Sequence, residues 1–283
     1  MNFGEALDQI RRQKDISIKQ VCGNYLSRQT YYRFVNNETD ISSKKLFYLL
    51  NNLNVNVDEF LFICNNFQLN KEFADMEKIK ISFQNQNILE LERLLDNYSS
   101  YKNIKEQLMY AVISILLGRL TNKISYTEEN IVRNYLVNIE TWTHYEIVLF
   151  NNIMFIFDSE FIELVVNKTS LTLEKYSTLR YYGSESIRML LNMIILYIDR
   201  QDIKRAQRVL KIIKNLKIND DCMYEKSCII FFSEVINLLN GAKDSLENCK
   251  SILKYFNLIG SHSIATMFNT YLDTLIKSEL HNK

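Results

Sequence analysis

Apolar positions recur at spacings of three and four residues along most of the chain, the mark of helices that each bury one face. Within residues 1–67 these runs are short. Leu7 and Ile10, with Phe3 behind them, mark a first face that ends at the basic run Arg11-Arg12-Gln13-Lys14. Ser17 is a good N-cap for a helix through Ile18 and Val21, and Gly23-Asn24 breaks it. Ser27 caps a third helix with Tyr31 and Phe34 inward, and Asn36-Asn37 ends it. Ser42 or Ser43 opens a fourth, with Leu46, Leu49, Leu50 and Leu53 inward, and Asp58 lies inside a fifth with Phe60, Leu61 and Ile63. Helices of about 7–12 residues do not hold alone in water, so these five must pack on one another.

From residue 68 the helices lengthen and pair. The pattern predicts them over 70–83, 87–98, 103–118, 127–139, 141–157, 159–168, 171–181, 184–200, 202–216, 221–240, 244–258 and 262–280. Joints such as Asp199-Arg200-Gln201-Asp202 and Gly241-Ala242-Lys243-Asp244 have the length of an antiparallel helix hairpin. The run Ala206, Val209, Leu210, Ile213, Leu216 returns 40 residues later as Leu246, Cys249, Ile252, Leu253, Phe256, near the period of tetratricopeptide-like units. Stacked hairpins make an α-solenoid. The expectation is therefore an all-α chain: a five-helix domain over 1–67 and a solenoid of tetratricopeptide-like hairpins over 68–283.

Composition agrees and excludes alternatives. With Pro 0 and Gly 6 in 283 residues, the chain has far fewer turn residues than an all-β fold needs. A net charge of +1 excludes a polybasic nucleic-acid sponge. The five cysteines form no CxxC, and the nearest pair, Cys222 and Cys228, is six apart, which predicts buried reduced thiols. No stretch approaches the ~20 apolar residues of a membrane span, and the N-terminus does not resemble a signal peptide, so a cytoplasmic protein that does not touch the membrane is expected. None of the sequence signatures of nucleotide, zinc-protease or serine-hydrolase sites occurs. The three histidines, His144, His262 and His281, lie far apart. These features point away from an enzyme and imply no metal and no cofactor.

The third helix carries the most specific chemistry. Its outward side is Arg28, Gln29, Thr30, Tyr32 and Arg33, preceded by a short helix and a glycine-containing turn: a helix-turn-helix with a polar, basic second helix. Arg suits guanine O6 and N7, Gln suits adenine N6 and N7, and Tyr32 reaches a phosphate or a thymine methyl. Lys14 and Lys19 are candidates for phosphate contacts. Residues 1–45 hold eight bases and five acids, a footprint of +3 that suits weak binding by one copy and useful binding by two. A homodimer on a palindromic stretch of double-stranded DNA follows as the expected mode.

Residues 7–62 resemble the DNA-binding domain of the Rgg family of regulators, within the Cro/C1-type helix-turn-helix class. The resemblance is carried by Leu7-Asp8-Gln9-Ile10-Arg11-Arg12-Gln13-Lys14, by Leu26 to Phe34, by Asp40-Ile41-Ser42 with Lys45-Leu46, and by Leu53 to Leu61. Gln29, Tyr32 and Val35 depart from the family pattern, which ends that second stretch in Glu where Val35 stands. Ile139 to Ile147 is similar to the family's tryptophan-containing helix, and Ile252-Leu253-Lys254-Tyr255-Phe256 resembles its last repeat.

The resemblance implies a C-terminal helical-repeat domain that dimerises and binds a short secreted peptide, with control of neighbouring genes in quorum sensing or virulence. It points to the helix 141–157, which holds Trp142, Tyr145, Asn151, Asn152 and Phe155, as the peptide contact. Relatives have an Asn at the position of Asn152 and often an Arg where Phe155 stands, which implies a ligand less dependent on its terminal carboxylate. The alternative reading is a helical-repeat scaffold for a protein partner, with DNA binding weak or lost.

Overall fold

The computed structural model describes residues 1–68, 71–123, 126–176 and 180–281. Among them are sixteen α-helices, one short 3-10 turn and no strand. The chain divides into two compact units, Met1–Leu94 and Leu95–Lys283, and the division falls inside a helix. The hydrophobic pattern places the boundary earlier, at 67/68, where helix length changes.

The first unit holds α1 (Phe3–Gln13), α2 (Ile18–Cys22), α3 (Arg28–Val35), α4 (Ser43–Asn52), α5 (Val57–Cys64), α6 (Lys71–Gln84) and most of α7 (Ile88–Tyr98). The starts are set by side chains. Asn2 and Glu5 form a reciprocal cap on α1, Ser17 and Gln20 do so on α2, and Ser27 accepts from the Thr30 amide on α3. Gly23 closes α2 at φ 51°, a conformation L-residues rarely adopt. The five short helices share one core of Leu7, Ile10, Val21, Tyr31, Phe34, Leu49, Leu50, Leu53 and Phe60. The Asn52 side chain donates to the Val21 carbonyl at 2.9 Å and pins α4 to α2.

The second unit holds α8 (Ile104–Thr121), α9 (Tyr126–Asn138), α10 (His144–Ile153) with a 3-10 turn at Met154–Ile156, α11 (Ser159–Tyr176), α12 (Arg180–Asp199), α13 (Ile203–Asn215), α14 (Met223–Leu239), α15 (Ser245–Leu258) and α16 (His262–His281). Consecutive helices pack as hairpins, α12 with α13 and α14 with α15, while α8, α10, α12 and α14 stand side by side in a row. Asp202 caps α13 by accepting from the Arg205 amide at 3.1 Å. Aromatic rings tie the last repeats: Phe268 of α16 stacks on Phe231 of α14 at 4.8 Å and meets Phe256 of α15 edge-on at 5.8 Å.

Two predicted elements differ. Where 159–168 and 171–181 are expected as separate helices, α11 runs unbroken to Tyr176, and residues 177–179 of the second lie outside the described residues. No breaker interrupts Lys168-Thr169-Ser170, and the Thr169 hydroxyl bonds back to Val165 at 2.7 Å, which lets the helix pass. The helix expected over 141–157 begins instead at His144, because Thr143 and Glu146 form a capping box there, and it tightens to 3-10 geometry after Ile153.

Candidate functional site

In the first unit α3 is divided sharply. Tyr31 and Phe34 are buried, while Arg28, Gln29, Tyr32 and Arg33 are exposed. Thr30 is half-buried and joined to the cap, its hydroxyl 2.9 Å from that of Ser27. Arg33 lies 3.9 Å from Glu38 in an exposed pair of little energetic consequence, so its guanidinium is available. Lys19 is exposed on α2. Lys14 is placed differently: its ammonium donates to the carbonyls of Leu53 at 2.8 Å and Asn54 at 3.2 Å, where it closes the C-terminus of α4.

Behind the exposed face lies a polar knot. The Tyr31 hydroxyl donates to Asp8 Oδ1 at 2.8 Å, and Arg11 Nε donates to the same oxygen at 2.8 Å. Burial pushes the Asp8 carboxyl up, but the bonds from Arg11 and Tyr31 and the charges of Arg11 and Arg12 outweigh it and hold Asp8 below its ordinary value. Burial and the Asp8 charge push the Tyr31 hydroxyl well above the tyrosine range, so it stays a donor.

In the second unit the candidate residues do not all share one surface. Trp142 precedes α10 and is 1 % exposed. Its Nε1 donates to the Leu136 carbonyl at 3.2 Å and its ring packs on Phe150, so it is core and not surface. Tyr145 is half-buried, edge-on to Tyr135. Asn151, Asn152 and Phe155 share the partly exposed side of α10 and its 3-10 turn. Asn152 Nδ2 donates to Val148 O at 2.8 Å in its own helix. Asn151 Oδ1 accepts from Asn192 Nδ2 of α12 at 2.8 Å.

Two residues on this row had no signal in the sequence. Arg119, exposed in the last turn of α8, sets its guanidinium 5.4 Å from the Phe155 ring centre. Arg188 of α12 joins Glu185 at 3.1 Å and the buried Glu225 of α14 at 3.3 Å, over the Tyr224 ring. Apart from Glu185, these partners come from helices distant in sequence, and no local spacing announces them. All five cysteines are buried and reduced, and burial raises Cys228 to about 12 and Cys249 to about 11, which leaves both inert as nucleophiles near neutral pH. Among the described residues no group of His, Cys, Asp and Glu could hold a metal, and no helix is long and apolar enough to cross a membrane.

Residues 91–270 match the family described as HTH-type transcriptional regulator Rgg, C-terminal domain. The chain belongs to the Rgg family. Solved structures agree. RopB is 48% identical, covering 78% of this chain and 99% of its own, with a TM-score of 0.62. A candidate transcriptional regulator of Listeria monocytogenes EGD-e is 19% identical and covers 98% of both chains at a TM-score of 0.90. The SHP pheromone receptor Rgg2 of Streptococcus dysgalactiae is 20% identical, covering 96% of this chain and 99% of its own at 0.80. The Rgg chain is thus a transcriptional regulator, all-α among its described residues.

Proposed function

We propose that this Rgg regulator reads double-stranded DNA through α3 as a homodimer, and that a short peptide held against the row α8, α10, α12 controls it. The observation that carries the peptide half is the amide array of Asn151, Asn152 and Asn192 on adjoining helices of that row, since an amide side chain offers a donor and an acceptor to a peptide main chain. A pheromone receptor among the structures of the same fold supports it. The DNA half rests on the exposed Arg28, Gln29, Tyr32 and Arg33, with Lys19 as the phosphate contact. The scaffold reading has no comparable support, because the polar face of α3 is intact.

Phe155 alone argues for an apolar floor. The guanidinium of Arg119 above it returns a cation to that place from a different helix, and in this reading it meets the peptide's carboxylate.

The test uses a pool of synthetic octapeptides with free or amidated C-termini, retained on immobilised full-length protein. Retention of free-acid apolar peptides is expected, reduced by Asn152→Ala and by Asn192→Ala, with Arg119→Ala erasing the preference for the free acid. Equal retention of acid and amide forms by wild type rejects the Arg119 contact. Retention of none rejects the peptide reading.

A further inference from the structure

We infer that the hydroxyl of Tyr31, buried in the core and turned away from the exposed face of α3, sets the sequence preference of this regulator by fixing the rotation of α3 about its own axis. The inference rests on the reading of α3 as the DNA-reading helix. Apolar packing does not hold such an angle well, because the hydrophobic effect has no direction. α3 is only eight residues long, and it buries only Tyr31 and Phe34 fully, with Val35 partly buried beside them. Close steric approach and directional bonds therefore sharpen the angle.

The structure holds two such contacts, one helical turn apart on α1. At Gly4 the helices touch backbone to backbone: a Cβ added there would lie 2.2 Å from the Phe34 carbonyl oxygen and 2.7 Å from Val35 Cα. At Asp8 the contact is a hydrogen bond, from the Tyr31 hydroxyl to Oδ1 at 2.8 Å. Asp8 is itself held. Arg11 Nε binds Oδ1 at 2.8 Å and approaches the Tyr31 oxygen at 3.2 Å, while its Nη1 donates to the Ile16 carbonyl at 2.8 Å. Arg12 Nε takes the other oxygen at 2.7 Å. The carboxylate thus joins α1, the α1–α2 turn and α3 at one point.

The geometry magnifies any loss of this bond. Side-chain ends lie about 5–6 Å from a helix axis, so a roll of about 30° moves them about 3 Å, a whole hydrogen-bond length. Arg28, Gln29, Tyr32 and Arg33 would swing together. Binding to phosphates, which tolerates such a shift, would keep its strength, whereas hydrogen bonds to base edges would break. Tyr31 and Asp8 are positioning residues for the groups that touch DNA.

The experiment compares full-length wild type, Tyr31→Phe, Asp8→Ala and the double variant on two duplexes. One is selected by wild type from a random-sequence library, and the other is its scrambled counterpart. Tyr31→Phe keeps the ring and its volume, so folding is preserved and circular dichroism verifies it. The expected result is scrambled-duplex affinity within about twofold of wild type, with selected-duplex affinity roughly tenfold lower. The double variant should lose no more preference than the worse single one, because both changes break the same bond. If Tyr31→Phe keeps the wild-type preference, or if the two single losses add, the inference is overturned. A merely structural role would lower the thermal midpoint and leave the preference intact, which also overturns it. A library from which wild type retains no duplex rejects the DNA reading itself, a result that requires no variant.

Discussion

Gly4 sits in the first turn of α1, where helix propensity alone favours alanine by about 1 kcal/mol. The surroundings reverse that sign. The atoms a methyl group would strike, Phe34 O and Val35 Cα, belong to backbone and cannot swing aside as a side chain would. Gly4→Ala is expected to destabilise the first unit by roughly 1–3 kcal/mol in denaturant melts, the usual range for overpacking. A stabilised variant would show that α1 and α3 can separate freely. At this scale the sequence was legible where one helix decides the outcome: a period of 3.6 separates Tyr31 and Phe34 from Arg28, Gln29, Tyr32 and Arg33 without outside help. It was illegible where the partner lies far along the chain. Lys14 meets a carbonyl 39 residues away, and Arg119 meets a ring on the 3-10 turn after α10. Trp142 reads as a helical aromatic until the Thr143 cap shows that it precedes the helix.

Among elements, α1 and α3 are joined by a charge, and that joint responds to acid. The folded-state pKa of Asp8 lies below its ordinary value of 3.8, so the unfolded chain takes up a proton first as pH falls. The stabilisation is fully present above about the ordinary carboxylate range and is lost as pH drops through the depressed folded value. Denaturant melts of wild type and Asp8→Asn should differ most near neutral pH and draw together only as pH falls below the ordinary carboxylate range. A gap that stays constant on acidification would refute this linkage. Most helix starts were readable because Ser17, Ser27 and Asp202 cap by short-range bonds within their own segments. The continuity of α11 was not, since a back-bond from Thr169 looks in sequence like a polar joint.

Across the whole molecule, the pairing of helices was visible from hairpin joints and from the 40-residue recurrence. The pattern alone sets the change of helix length at 67/68, while α6 and most of α7, which resemble solenoid helices in length, group with the compact unit Met1–Leu94. On the proposed function, a reading surface of modest charge on α3 would need a second copy to discriminate among genomic sites. Light scattering is expected to give twice the 33.6 kDa chain mass at micromolar concentration, with selected duplexes carrying half-sites about one helical turn, or a small multiple, apart. A strict monomer bound one to one would contradict that arrangement.

The bond between Asn151 and Asn192 has a thermodynamic corollary. A main chain entering between α10 and α12 exchanges one amide partner for another and does not gain a fresh one. The net return from such an exchange is small, on the order of 1 kcal/mol or less. Attraction must then come from apolar side chains leaving water, and its signature in calorimetry is a negative heat-capacity change on association. On the proposed function, the amides would act as a toll gate for the peptide. A sequence that parts them without replacing the broken bond is penalised by about 1–3 kcal/mol per stranded group, so they discriminate among peptides that hydrophobicity alone would admit equally.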